Sequence, residues 1–357
     1  MAAVAALKPT ELFTPEEWRA VTRVSPWRGL WLIAHGWAST AAIIAGALWL
    51  GHWLVFIPAL FLIGGRQLGL AILMHDAAHG LTHPKRRINN FAGEWLSGAA
   101  VGSDLQSYRA YHLTHHRYTQ QAEDPDLGLS APFPTSRNSL SRKFIRDLTG
   151  QTFAKQRSSQ FAMAWRGLRA MVAGRGTERG GARDTAAGTP FNRPLNRPLN
   201  RPLNRQGAAG LNAPAPSDDA GAIAVAKTVA RFLVVQAILL SLSLMLWGWT
   251  PYLLWLAALM TTFQLALRIR NIAEHACTAT GPGDPFSHAR TTIASLTERA
   301  LLAPYWVNYH AEHHLFMGVP CYRLARVHRM LMERGFAPRM TIADGYAQVL
   351  RQVVRVA

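Results

Sequence analysis

The chain has 357 residues, 49% of them apolar and only 16% charged, with a formal net charge of +18. So few charged residues are unusual for a soluble domain. The basic excess does not mark a nucleic-acid protein either, because Lys and Arg avoid the long apolar stretches and the short turns within them, which is how basic residues are distributed in the cytoplasmic loops of a membrane protein.

Residues 1–28 read as an N-terminal cytoplasmic amphipathic segment without the apolar core of a cleavable signal. Within it, Thr14-Pro15-Glu16-Glu17 is a helix start, with a cap, Pro in the first turn and two acids. Gly29 to Gly65 and Phe232 to Leu267 contain no charged side chain. Each stretch is about 36 residues long, where one span needs about 20. Each therefore predicts two transmembrane helices, turning at Gly51-His52 and at Gly248-Trp249-Thr250-Pro251. The first pair covers about 29–50 and 53–74, the second about 228–248 and 252–275. The second and fourth helices should run on past the membrane, to His79 and His275. Arg66 and Arg231 are placed near helix ends. Trp31, Trp37, Trp49, Trp53, Trp247 and Trp249 fall near the predicted ends, as an interfacial belt would. Phe91–Val101, interrupted by Glu94, is too short to span and predicts an interfacial or re-entrant helix.

In residues 174–217, Asn-Arg-Pro-Leu repeats from Asn192, Asn196 and Asn200. A proline every fourth residue forbids a regular helix, and the composition predicts a disordered low-complexity cytoplasmic insert. The expected organisation is then 1–28, the lead; 29–173, the first hairpin with two histidine groups; 174–217, the insert; and 218–357, the second hairpin, the last histidine group and C-terminal cytoplasmic helices, among them an amphipathic stretch from Leu324 to Met332. The fold class is all-α: an integral membrane protein of four transmembrane helices in two hairpins, both termini cytoplasmic, with a cytoplasmic helical cap holding the metal site.

Nine of the fourteen histidines lie in four tight groups: His75 and His79; His112, His115 and His116; His275 beside Glu274; and His310, His313 and His314. Positions i, i+3 and i+4 share one helix face, so each larger group can aim its imidazoles at a common centre. Imidazole is the commonest neutral metal ligand, and a single catalytic zinc takes about three protein ligands. Nine imidazoles point to two ions. Two cysteines, Cys277 and Cys321, are too few for a four-cysteine iron–sulfur cluster, and no structural disulfide is expected in a reducing compartment. Asp76, Glu274 and Glu312 are candidates to orient imidazoles by accepting their outward N–H. Asp124-Pro125-Asp126 reads equally well as a turn with a cap.

These boxes and their flanks resemble the membrane fatty-acid desaturase superfamily: His75-x-x-x-His79, Tyr111-His-Leu-Thr-His-His-Arg-Tyr-Thr119 with Asp124-Pro-Asp126, and Asn308-Tyr-His-Ala-Glu-His-His-Leu-Phe316 with Val319-Pro320. The resemblance covers about 29–130 and 228–335. It implies two non-haem iron ions at the cytoplasmic face, bound by His75, His79, His112, His115, His116, His310, His313 and His314. Asn271-Ile-Ala-Glu-His275 resembles a stretch of acyl-CoA desaturases, which makes His275 the ninth imidazole and Asn271 a ligand through water. His83 is an extra histidine beside the first box.

The implied activity is O2-dependent C–H oxidation that introduces a double bond into an acyl chain. The alternatives are a hydroxylase or ketolase acting on a lipid, carotenoid or sphingolipid, and a membrane metal-binding protein without oxidative chemistry. For the last, the only ionisable candidates within the spans are His35 and His52, both placed in the outer half. With no glycine-rich dinucleotide fingerprint, the electrons are expected from a separate ferredoxin or a cytochrome of the b5 type. The substrate, the regiochemistry and the oligomeric state are not legible.

Overall fold

The computed structural model describes residues 4, 7–174, 219–281 and 283–355; the repeat-bearing insert lies outside the described residues. The chain opens with α1 (Pro15–Thr22), capped as its sequence predicts: the Glu17 amide donates to Thr14 Oγ1 (3.2 Å) and the Thr14 amide to Glu17 Oε2 (2.8 Å). Next come two long helices, α2 (Arg28–Leu50) and α3 (Trp53–Ala78). They pack along each other, and Gly51, at φ 62°, takes the left-handed conformation that a tight connection requires.

After α3 come α4 (Arg86–Gly93), α5 (Leu105–Tyr118), α6 (Arg137–Leu148) and α7 (Gln151–Val172). The apolar chain then resumes with α8 (Asp219–Trp247), α9 (Thr250–Met260) and α10 (Thr262–His275). Four segments are long and apolar enough to cross a membrane: α2, α3, α8, and α9 with α10 together. The protein is mostly helical, with one small exception to the all-α expectation. The strands β1 (Arg290–Thr292) and β2 (Thr341–Ala343) pair in parallel, Thr291 opposite Ile342. Short helices α11 (Leu296–Leu301), α12 (His310–Leu315), α13 (Cys321–Glu333) and α14 (Tyr346–Gln352) complete the C-terminal part.

The third apolar segment begins earlier than predicted, at Asp219, and the fourth is broken at Thr261, where φ is −123° and ψ −82°. No Gly or Pro announces that break. Its cause is hydroxyl chemistry: Thr261 Oγ1 donates back to the Ala257 carbonyl (2.6 Å), and Thr262 Oγ1 donates to Leu60 O on α3 (2.6 Å). Such back-bonding bends helices. The expected re-entrant segment is a continuation of α4 through a π-helical turn, Glu94–Gly98.

Arg66 and Arg231 lie well inside α3 and α8, not near helix ends as their sequence positions suggested. Each is met by the fold. Arg66 donates to the Ala300 carbonyl (2.8 Å), while Arg231 pairs with Glu94 (2.9 Å) and Asp104. Trp37 also departs from the belt: it stacks on Trp255 and donates to Leu96 O (2.8 Å). Trp49, Trp53, Trp247 and Trp249 are exposed at the two turns, as expected. His35 does not sit at the turn end of its helix, as predicted for an outer-half residue; it hydrogen-bonds Tyr305 OH (3.1 Å), five residues before His310.

Helix α3 is the axis of the molecule, with α2, α4, α5, α9, α10 and α11 packed on it. Its small residues allow that crowding. A Cβ on Gly64 would lie 2.5 Å from Thr262 Oγ1, and one on Gly65 would lie 2.4 Å from the Ala300 carbonyl oxygen. Overpacking of this kind costs about 1–3 kcal/mol. Gly65→Leu should therefore lower the thermal unfolding temperature of the purified protein by several degrees, as read by scanning fluorimetry; an unchanged temperature would contradict the packing.

Candidate metal centre

The four histidine groups come from separate parts of the sequence and meet at one place. His75 lies in the last turn of α3 and His79 caps it. His112, His115 and His116 share one face of α5, His275 ends α10, and His310, His313 and His314 lie on α12. Helix α5 is fixed at its start by Asp104, whose carboxylate accepts from the Ser107 amide (2.7 Å) and from Arg231 on α8. The six-residue α12 could not hold itself in place. Asn308 Nδ2 donates to Thr292 O (2.9 Å), and Glu312, fully buried, accepts from Thr291 Oγ1 (2.5 Å) and contacts His328 Nδ1 (2.6 Å).

All nine imidazoles are brought together, in two sets. His75, His79, His112, His116 and His313 form one, and His115, His275, His310 and His314 the other, with candidate ligand atoms within 4.8 Å of one another in each set. In the second set the Nε2 atoms form a closed ring of contacts: His115 to His275 (3.2 Å), His275 to His310 (2.9 Å), His310 to His314 (3.0 Å) and His314 to His115 (3.2 Å). A centre within such a ring lies roughly 2 Å from each nitrogen, the length of a metal–imidazole bond.

The outward nitrogens decide what these contacts are. His115 Nδ1 faces Asp124 Oδ1 (2.7 Å), His275 Nδ1 the His288 carbonyl (3.1 Å), His310 Nδ1 Glu274 Oε1 (3.2 Å) and His314 Nδ1 the Thr119 hydroxyl (3.2 Å). Acceptors at Nδ1 place the proton there and turn the Nε2 lone pair inward. Four lone pairs facing one another at 3 Å repel unless a cation lies between them. In the first set, His116 Nε2 lies 2.9 Å from both His112 Nε2 and His313 Nε2, while His75 Nε2 and His79 Nε2 are buried with no hydrogen-bond partner. Buried orphan nitrogens are rare, and here two of them lie in one set with three imidazole nitrogens that contact only one another. The residues present fit two imidazole-bound metal ions.

Protonation agrees with that reading. Burial, followed by the neighbouring imidazoles, holds His112, His116, His310, His313 and His314 well below the usual histidine range, and burial with Arg109 takes His79 down to about 3. His115 moves the other way: burial depresses it, but the Asp124 hydrogen bond and the charges of Asp126 and Asp124 outweigh that.

Of the carboxylates expected to orient imidazoles, Glu274 does face one, His310, and Arg270 pairs with it. Neither of the other two faces an imidazole of the two sets. Asp76 accepts from the Cys321 amide (3.2 Å), and Glu312 holds Thr291 and His328. The sequence left Asp124 open between orienting an imidazole and capping a turn. It does both, accepting from the Gln120 and Asp126 amides (2.8 Å each) as well as facing His115. Its only signal was an acid closely following the second box. The His288 carbonyl behind His275 had no sequence signal. His83 accepts from the Lys85 amide (2.9 Å) and stays outside both sets. Asn271 lines a cavity together with His112, His115, His275 and His310.

The sequence profile of the fatty acid desaturase family matches residues 51–343. The chain belongs to that family. Among curated relatives, it is 33% identical over 103 residues to a β-carotene ketolase of Paracoccus sp. (strain PC1), covering 29% of this chain and 40% of the ketolase. It is 29% identical over 110 residues to an sn-1 oleoyl-lipid 12-desaturase of Picosynechococcus sp. (strain ATCC 27264 / PCC 7002 / PR-6), covering 30% of this chain and 31% of the relative. It is 28% identical over 103 residues to the chloroplastic sn-2 acyl-lipid omega-3 desaturase (ferredoxin) of Arabidopsis thaliana, covering 29% and 23%. The chain thus spans less than half the length of the curated relatives it matches. The desaturase profile spans all four histidine groups, so a family of lipid-oxidising membrane proteins and the convergence of the imidazoles point the same way.

Two outcomes test the centre. Removing an outer partner of a metal-bound imidazole typically costs about 10–100-fold in metal affinity, so Asp124→Ala should lose metal to a chelator at correspondingly lower concentration, followed by elemental analysis. The second concerns metal-free protein. His79 takes up a proton near pH 3 when folded but near 6.5 when unfolded, so the unfolded chain binds more protons between those values and stability falls as the pH drops through that window. The other depressed imidazoles add in the same direction. Thermal unfolding of the apoprotein should drop clearly from pH 7.5 to pH 5.5; equal values would contradict neutral buried imidazoles.

Proposed function

We propose that this protein is a membrane-bound acyl-lipid desaturase whose nine histidines hold two iron ions. The observation that carries the reading is the pair of imidazole sets lying beside an apolar cleft. That cleft runs between α3 and α10, has a mainly apolar wall of Leu68, Ile72, Met74 and Leu267, and ends on the polar side chains of His75, Asp126, Arg270 and Asn271. Two irons held there would supply O2-dependent oxidation of an unactivated C–H bond.

The chain's own residues account for the rest. The cleft takes an apolar chain and excludes water from it, while α3 and α10, packed on each other, fix which carbon lies near the imidazoles; a small misplacement would be costly. Asn271 lines both the cleft and the histidine-lined cavity, and in this reading it would hold a water toward the second set. In desaturation the substrate loses two hydrogens, and O2 leaves as water with two further electrons and protons. Those electrons come from a separate carrier of the ferredoxin or cytochrome b5 type; one relative's name specifies ferredoxin. Both termini and the histidine groups lie on the cytoplasmic side in this reading, in line with the basic residues outside the turns.

A second reading keeps the site and changes the outcome. The similarity to a β-carotene ketolase favours oxygen insertion into a carotenoid or another lipid. Lipid profiling by mass spectrometry of a host expressing the chain separates them. A new alkene, two hydrogens lighter, supports desaturation; gain of one oxygen, or of one oxygen with loss of two hydrogens, supports the hydroxylase or ketolase. His313→Ala should abolish either product while the protein still inserts. Full activity in that variant would reject the assignment of His313 as a ligand, and purified protein holding zinc and consuming no O2 would sink the enzymatic reading.

A further inference from the structure

Several arginines in the described structure meet a carboxylate: Arg166, Arg231, Arg268, Arg270, Arg334 and Arg339 are each in an ion pair. Four others gather with no carboxylate in ion-pair contact among the described residues. Arg23 follows α1, Arg28 opens α2, and Arg323 and Arg326 lie on the first two turns of α13. The Arg28 and Arg323 guanidinium groups are both within reach of the Tyr322 ring, at 5.5 and 5.9 Å from its centroid. Tyr322 OH accepts from the Ser25 amide (2.9 Å), which ties the α1–α2 connection to α13 and holds the arginines together. Burial and the neighbouring Tyr322 act first on Arg323, and the charges that follow, those of Arg28, Arg326 and Arg23, are all of its own sign. Arg323 Nε is buried without a hydrogen-bond partner.

Like charges gathered without a counterion are unfavourable, and the Tyr322 ring nonetheless brings Arg28 and Arg323 to one place. The position indicates the missing counterion. Arg28 is the first residue of a candidate span, and Trp27 and Trp31 beside it are 77% and 68% exposed. Exposed tryptophan at the end of an apolar helix belongs at headgroup depth. Planar guanidinium groups suit a phosphate, which they grip through paired N–H donors. A soluble acidic protein would have to reach past the bilayer surface to engage Arg28, whereas a lipid phosphate is already there.

We propose that Arg23, Arg28, Arg323 and Arg326 form a headgroup site for an anionic phospholipid, its phosphate seated between the start of α2 and α13. The site stands apart from the oxidative chemistry and does not depend on it. It would brace the cap from the membrane side: Cys321, at the head of α13, donates its amide to Asp76, next to His75.

Native mass spectrometry of the full chain in neutral detergent, supplemented with phosphatidylglycerol or phosphatidylcholine, tests this. The wild type should retain phosphatidylglycerol in preference to phosphatidylcholine. Each basic residue near an anionic lipid surface contributes about fivefold, so Arg28→Gln with Arg323→Gln should reduce retention by on the order of tenfold or more. The control Arg137→Gln with Arg142→Gln, on α6, should leave it unchanged. Unfolding temperatures of both variants establish that they fold; should the first pair not fold, Arg23→Gln with Arg326→Gln replaces it. Equal retention by the Arg28/Arg323 variant, or no preference over phosphatidylcholine, overturns the site. Complete displacement of the lipid by inorganic phosphate would mark a free-phosphate site instead, and variants that lose binding of an acidic ferredoxin but keep the lipid would mark a protein-docking surface; either result also overturns it.

Discussion

Nine imidazole lone pairs held inside a buried space are the constraint around which this molecule is arranged. Neutral imidazoles can be buried individually, each satisfied by an ordinary hydrogen bond. Here the outward nitrogens of the second set take those bonds, through Asp124, Glu274, the His288 carbonyl and the Thr119 hydroxyl, and the inward nitrogens are left facing one another. That arrangement is unfavourable for the bare protein and favourable for one with cations between the rings. The small residues on α3, the carboxylate at the start of α5 and the buried Glu312 beneath α12 all serve to hold four distant segments against that mutual repulsion.

Much of this was legible in the sequence because its signals are periodic or compositional. Charge-free stretches fix the apolar helices whatever their packing, and i, i+3, i+4 spacing puts imidazoles on one face whatever they bind. His275 could be assigned only by resemblance, since one histidine at a helix end carries no periodicity of its own. The division of the nine into five and four was not legible, because His115 and His116 are neighbours in sequence yet belong to different sets. Only the rotation of α5 against α3, α10 and α12 decides which neighbour points which way.

The misjudged positions have a common cause. Asp124 stayed open between two roles because an Asp-Pro-Asp segment is also a good turn, and the side chain does both jobs. Asp76 and Glu312 looked like partners of the clustered imidazoles because they adjoin them in sequence, but on a helix an adjacent residue points about 100° away, which sends Asp76 to Cys321 and Glu312 to His328, outside both sets. The break at Thr261 and the interior location of Arg66 depend on partners contributed by residues far away in the chain, Leu60 and Ala300, which local pattern cannot reveal.

The account rests on two adjacent ions, each bound within one of the two imidazole sets. Diffraction from crystals of the protein purified with its metal, recorded on both sides of the iron absorption edge, addresses that directly. Two anomalous peaks are predicted, one among His75, His79, His112, His116 and His313 and the other among His115, His275, His310 and His314. A single peak, or none within these rings, would contradict the account.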